Sequence, residues 1–153
     1  MNDFTWWSTL GTWIEVIPNT TETHVTNALP PSGLIYSARM AGREMIDSDG
    51  VFSQFYEHLQ LPDYFGWNWD ALRDCLQDLS WIPAKHFLLT IDDAEFALSS
   101  NSEERTIFYR ALTDAAKNWA AKPELPGQTK TTFRVLLLSS PQASRMLAAE
   151  LNE

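Results

Sequence analysis

The stretch Leu61-Pro-Asp-Tyr-Phe-Gly-Trp-Asn-Trp-Asp-Ala-Leu-Arg-Asp-Cys-Leu-Gln-Asp-Leu79 joins an aromatic loop to a strongly two-faced helix. Asn68 reads as the N-cap and Trp69 as the first helical residue, because a short side-chain carbonyl can satisfy a free amide of the first turn. At about 100° per residue, Asp70, Asp74 and Asp78 fall within an arc of about 80°. Ala71, Leu72, Cys75, Leu76 and Leu79 fill a broad arc opposite. One face is therefore expected in the core and the other is a strip of negative charge, with the loop bearing Tyr64, Phe65 and Gly66 directly ahead of it. Unpaired carboxylates spaced four apart repel one another and weaken an isolated helix. A chain that keeps such a strip has reason to set something positive against it.

Each feature also has a purely structural explanation. Asp70, in the first turn, suits the helix dipole without any partner molecule. Trp67, just before the cap, is placed to staple onto Leu72, and Trp69 borders the apolar arc near Leu76. Gly66 can supply a backbone angle that other residues avoid, and Pro62 favours an extended chain before it. Asp74 and Asp78 can be ordinary solvated surface. A metal site is the weaker reading, because three carboxylates strung over two turns cannot converge on one ion.

The chain has 153 residues, enough for one domain with a substantial core. Its 44% hydrophobic residues and seven tryptophans argue for a folded globule. The formal net charge of −9 points away from nucleic acid and anionic membranes as direct partners, and towards a basic protein met by electrostatic guidance. Cys75 is the only cysteine, so no internal disulfide forms, and its place on the apolar arc predicts a buried thiol. No basic segment followed by an apolar run opens the chain, which argues against a signal peptide. The longest apolar runs, Phe87–Leu89 and Val135–Leu138, are too short to span a bilayer. Without an export signal the sequon at Asn19 carries little meaning, and a cytoplasmic location is expected.

Outward from the acidic helix, the elements alternate. Leu34–Met40 reads as a strand, followed by a helix capped by Ser48 or Asp49 and carrying Val51, Phe52, Phe55, Tyr56 and Leu59. Phe87–Ile91 and Phe133–Leu138 are continuous apolar runs of the kind buried on both faces. Between them a helix from about Ser102 to Ala121 places Ile107, Phe108, Leu112, Ala115 and Trp119 on one face. Ser140 and Pro141 open a short terminal helix running to about Leu151. The expected fold class is α/β, with a small three-stranded parallel sheet packed with helices. Residues 1–31, rich in tryptophan (Trp6, Trp7, Trp13) and with a possible strand at Trp13–Ile17, are expected as an extension packed on a domain spanning 32–153.

Catalytic chemistry is thinly represented. A nucleophilic Cys75 would need exposure and a neighbouring base, but its periodicity buries it. His24, His58 and His86 are scattered and lack ligand spacing. Neither a P-loop nor a dinucleotide fingerprint occurs. Asp92-Asp93 ends a strand, where open α/β sheets often bind ligands, although acidic turn residues are common there too. No metal and no cofactor is called for, and an enzyme is the weaker reading.

Leu61-Pro62, Tyr64-Phe65-Gly66, Asn68, Asp70-Ala71-Leu72 and Asp74-Cys75-Leu76 together resemble the signature of the barstar family of intracellular ribonuclease inhibitors. The order of elements from Leu34 to Ser139 is similar to the family's compact α/β fold, while 1–31 and 141–153 lie outside the resemblance. The resemblance implies that the loop and acidic helix, with Gly66 and Asn68 shaping them, plug the active site of a small basic ribonuclease. Tyr64 would stack in the enzyme's cleft, and Asp70 and Asp74 would meet its cationic catalytic residues. Asp114, on the long helix, would be a further acidic contact. Arg73 stands where the family pattern has an aromatic residue, and Asp78-Leu79 where it has a Gly-aromatic pair, so both bear on the choice of target. The implied function is protection of the producing cell from a ribonuclease toxin. Two alternatives remain: a module of the same family directed at a non-nuclease basic protein, and a metal-dependent hydrolase using the acidic helix.

Overall fold

Eight regular elements follow one another in the computed structural model, which describes residues 14–19, 34–123, 126–127 and 131–151. They are β1 (Ile14–Pro18), β2 (Ile35–Ala41), α1 (Ser48–His58), α2 (Trp69–Leu76), β3 (His86–Asp92), α3 (Ser102–Ala121), β4 (Thr132–Ser139) and α4 (Pro141–Leu151), with short 3-10 turns at Gly42–Glu44 and Ala94–Phe96. The sheet is wholly parallel, in the order β1-β4-β3-β2. It therefore has four strands, not the expected three. The additional strand is β1, whose Ile14 lies opposite Val135 and Pro18 opposite Ser139. Only five residues long and half-buried, β1 is an edge strand, and its proline sits where a missing backbone donor costs least. Of the segment 1–31 expected as an extension, only 14–19 falls among the described residues; Trp6, Trp7 and Trp13 lie outside them.

The core is assembled by alternation along the strands and by 3.6-residue periodicity along the helices. Ala38 and Met40 of β2, Phe87, Leu89 and Ile91 of β3, and Phe133, Val135 and Leu137 of β4 form one cluster with α1 through Val51, Phe52 and Phe55. Leu72 and Leu76 of α2 join it, as do Phe108, Leu112 and Ala115 of α3. Phe55 meets Phe108 edge-on at 5.9 Å, the favoured aromatic geometry. Ile107, expected on the buried face of α3, remains 40% exposed. The buried stripe instead includes Tyr109, Ala116 and Arg105.

Three local expectations are corrected by contacts between turns. The cap of α1 is Asp47, whose Oδ1 accepts from the Gly50 amide at 2.8 Å, not Ser48 or Asp49. Gly50 decides this, because a Cβ there would collide with the Glu44 carbonyl, and the close approach fixes where the helix starts. α2 ends at Leu76, two residues earlier than an arc including Asp78 requires. The Gln77 amide reaches the carbonyls of Arg73 and Cys75, the Asp78 and Leu79 amides converge on the Cys75 carbonyl, and Leu79 takes a left-handed φ of 54° that buries its side chain. Asp78 therefore leaves the helical strip. No glycine angle is needed at Gly66; the positive φ falls one residue later, on Trp67 (54°).

Among the described residues no helix is long and apolar enough to cross a membrane.

Candidate protein-binding face

Leu61 and Phe65 anchor the loop by burial, and the Phe65 amide closes a turn on the Pro62 carbonyl at 2.9 Å. Between these anchors the turn pushes Tyr64 outward, 76% exposed. Phe65 packs against Phe52 at 6.0 Å and Tyr56 at 6.4 Å, so the loop is braced on α1. Asn68 then starts α2 as expected. Its Oδ1 accepts from the Ala71 amide at 2.8 Å and its Nδ2 donates to the Gly66 carbonyl at 3.2 Å. One side chain thus ties the loop to the helix. Gly66 lies against that amide: a Cβ would stand 3.1 Å from the Asn68 nitrogen.

α2 is held at both ends by indoles. Trp69, packed on Phe52 and Phe108, donates Nε1–H to Glu104 of α3 at 3.0 Å. Trp119 of α3 donates to the Leu76 carbonyl at 2.8 Å, satisfying one of the acceptors that a helix leaves free at its C-terminus. Leu72, Cys75 and Leu76 face inward and are buried, while Asp70, Arg73 and Asp74 face solvent. The Trp67 ring meets the rings of Tyr56 at 5.2 Å and Phe65 at 5.3 Å.

The carboxylates divide into two groups. Asp70, 90% exposed, lies 3.6 Å from the Arg73 guanidinium, which also lies 3.7 Å from Asp114 of α3. Arg73 therefore brings Asp70 and Asp114 to one place and sets a cation inside the acidic face. Asp74 and Asp78 are exposed, and their carboxylates have no hydrogen bond or ion pair among the described residues. Both lie close enough to Cys75 to act on its thiol, whose pKa is raised first by burial and then by the charges of Asp78 and Asp74. Cys75 is free and buried, so it is no nucleophile.

Elsewhere among the described residues, Asp92, Asp93 and His86 are engaged within the fold. Asp92 accepts two hydrogen bonds from Arg39, at 2.7 and 2.8 Å, and Asp93 accepts one from Arg43 at 3.1 Å. His86 shares a 2.8 Å hydrogen bond with Thr132, and burial lowers its pKa. Among the described residues no group of three His, Cys, Asp or Glu side chains is placed to hold a metal ion. Sequence reasoning passed over two features of the face. Trp67 is nearly half exposed, and Trp119 fixes the far end of α2 from a position in another helix. No local signal marks either one.

A braced aromatic loop, an N-capped two-turn acidic helix and a parallel sheet in this chain order coincide with one family model, described as Barstar (barnase inhibitor), over residues 35–137. The chain belongs to the barstar family. The match covers 103 of its 153 residues, from the first residue of β2 to within two residues of the end of β4. It leaves β1 and α4 outside. No curated protein matches the chain.

Proposed function

We propose that this barstar-family protein is not an enzyme but an inhibitor that binds a basic endoribonuclease and occludes its active site, acting in the cytoplasm to protect the cell that makes it. The observation that carries this reading is Asp74. It is exposed and unpaired among the described residues, on a helix whose two ends are fixed by Trp69 and Trp119, with Tyr64 projecting ahead of it.

Sites that cleave RNA are cationic, because they stabilise charge developing on a phosphate. A helix already locked in place loses little conformational entropy when it presents carboxylates to such a site. Charge-assisted hydrogen bonds from arginine to carboxylate then add geometry as well as energy. Tyr64 contributes apolar area with a polar tip, the profile of an interface anchor. Electrostatic steering speeds encounter, and barstar with barnase is itself among the complexes on which that generalisation rests. Asp70, Asp74 and Asp78, together with Tyr64, Gly66, Asn68, Arg73 and Asp114, make up the proposed partner-binding set.

The test is a ribonuclease inhibition assay against barnase and against any nuclease encoded beside this chain. Inhibition by the wild-type chain, lost in Asp74→Ala, is the expected result. Equal inhibition by the variant removes Asp74 from the mechanism, and no inhibition of either enzyme removes the reading. Raised salt is expected to slow association by screening long-range attraction.

Arg73 favours a second reading, in which the same face binds a basic protein that is not a nuclease. Its guanidinium stands between Asp70 and Asp114, so the partner must tolerate a cation at that point. A pull-down with the purified chain that recovers one defined non-nuclease partner, whose binding is lost in Asp74→Ala, decides for it.

A further inference from the structure

The geometry points to Trp67 as a second aromatic anchor of the partner face, placed to receive an arginine or lysine side chain of the ribonuclease. The inference rests on the ribonuclease reading above and names a contact within it.

The backbone supplies the first observation. Five non-glycine residues among those described have positive φ: Gln60, Trp67, Leu79, Asp93 and Leu98. For a bulky residue this conformation is unfavourable and persists only where the surroundings over-determine it. Leu79 and Leu98 are fully buried, so core packing holds them there. Asp93 belongs to a residue type that tolerates the left-handed region, and Arg43 binds its carboxylate. Trp67 has neither justification, and of the two exposed positions, Gln60 and Trp67, it alone carries a large apolar side chain. It is 47% exposed, and Gly66, a residue suited to the angle, lies beside it without adopting it.

The second observation is that the ring is held, not loose. Tyr56 and Phe65 brace it at 5.2 and 5.3 Å, Phe65 is buried, and the Tyr56 hydroxyl donates to Asp63 at 3.3 Å. The left-handed turn therefore aims an exposed indole that its neighbours fix in place.

Position selects the ligand. Trp67 lies three residues after the exposed Tyr64 and immediately before the cap of the helix that carries Asp70 and Asp74. An indole face attracts cations more strongly than any other side-chain ring, and arginine also stacks on it through its planar guanidinium. The carboxylates of Asp70 and Asp74, on the helix that follows, draw the same kind of group. A cation from the rim of a basic ribonuclease fits this arrangement, and neither an anion nor an apolar segment does so as well.

The experiment measures thermal stability and affinity for barnase and for any nuclease encoded beside the chain, in the full-length protein and four variants. Trp67→Asn takes a residue that accepts positive φ, Trp67→Tyr keeps an aromatic face, and Asp74→Ala reports on the underlying reading. Trp67→Gly is the second route to relieving the backbone should the asparagine variant fold poorly. The expected result is a melting temperature for Trp67→Asn no more than about 4 °C below wild type, with affinity weakened at least about tenfold and largely restored in Trp67→Tyr. Wild-type affinity in Trp67→Asn or Trp67→Gly, while Asp74→Ala is impaired, overturns the inference and leaves the reading standing. A larger melting loss in both Trp67→Asn and Trp67→Gly makes the indole a structural brace and also overturns it. Failure of the wild-type chain to bind either enzyme removes the reading and the inference together.

Discussion

Two acidic regions of this molecule use the same side chains to opposite ends. Around the C-terminal ends of β2 and β3, Asp92 and Asp93 are taken up by Arg39 and Arg43. Nearby, Glu150 of α4 meets Arg105, and Glu95 accepts from the Ser140 amide at 3.2 Å. On α2 and the turn after it, by contrast, the carboxylates of Asp74 and Asp78 have no partner among the described residues, and that of Asp70 has only a long contact to Arg73. The first region resembles the ligand position of an open α/β sheet, yet its charges are committed to joining strand ends, the turn after β3 and α4. The second leaves its charge available to another molecule. What separates them is the supply of arginines from neighbouring elements, not the count of acids.

The sharpest test of the comparison lies at Arg105. Its guanidinium is buried, donates to the Glu95 and Ala97 carbonyls at 3.0 Å each, and pairs with Glu150 at 3.1 Å. Arg105→Met strips those acceptors of their donor and is expected to cost about 3 kcal/mol of stability, read by urea unfolding, while ribonuclease binding by the folded fraction stays unchanged. A stability loss under about 1 kcal/mol would mean that the paired region does not hold the fold together.

Asp74→Ala should show the reverse pattern. Affinity for the ribonuclease is expected to fall by at least about 2 kcal/mol, with unfolding free energy within about 0.5 kcal/mol of wild type. Calorimetric titration and denaturant melts on the same protein check both halves, and a stability loss without an affinity loss would erase the distinction between the regions.

Tyr109 extends the comparison to pH. Burial pushes its phenol up to about 12, above the ordinary value of 10.0, and it lies beneath Arg105 with 5.4 Å between guanidinium and ring. The folded state therefore holds the proton more tightly than the unfolded chain. The associated stability is fully present below pH 10 and is lost as pH rises through about 12. That loss should amount to about 2–3 kcal/mol. Tyr109→Phe is expected to remove this limb of the pH–stability curve; a limb that persists assigns it to other groups.

The smallest effect belongs to Asp92→Asn. Its pair with Arg39 has bidentate geometry, but the arginine side chain is more than half exposed. A loss of about 0.5–1 kcal/mol is expected in thermal melts, with no change in binding. A binding loss there would extend the partner face to the strand ends.

Much of this was legible in the chain. Asn68 as cap, Trp69 as first residue, the inward Leu72, Cys75 and Leu76 and the order of alternating elements all follow from short-range rules. Asp78 was misplaced, because its exit from the helix depends on Leu79 turning into the core. β1 was read as a possible strand without a place in the sheet, since five half-apolar residues do not reveal that β4 offers an open edge. The cap of α1 was uncertain among adjacent candidates until the collision at Gly50 settled it. The left-handed backbone at Trp67 is likewise something that sequence spacing cannot register.

The sequence by itself determined which segments become strands and helices, which face of α2 turns inward, and that the outward face is acidic. These depend on periodicity, capping and charge within a few residues. Tertiary structure alone decided which aspartates find arginines, that Asp114 comes to Arg73, and that Tyr64 and Trp67 stand in solvent. Ion pairs and aromatic contacts join residues as far apart as the 53 positions between Arg39 and Asp92. Whether a charge is consumed or left free therefore depends on the packing of elements that no local pattern encodes.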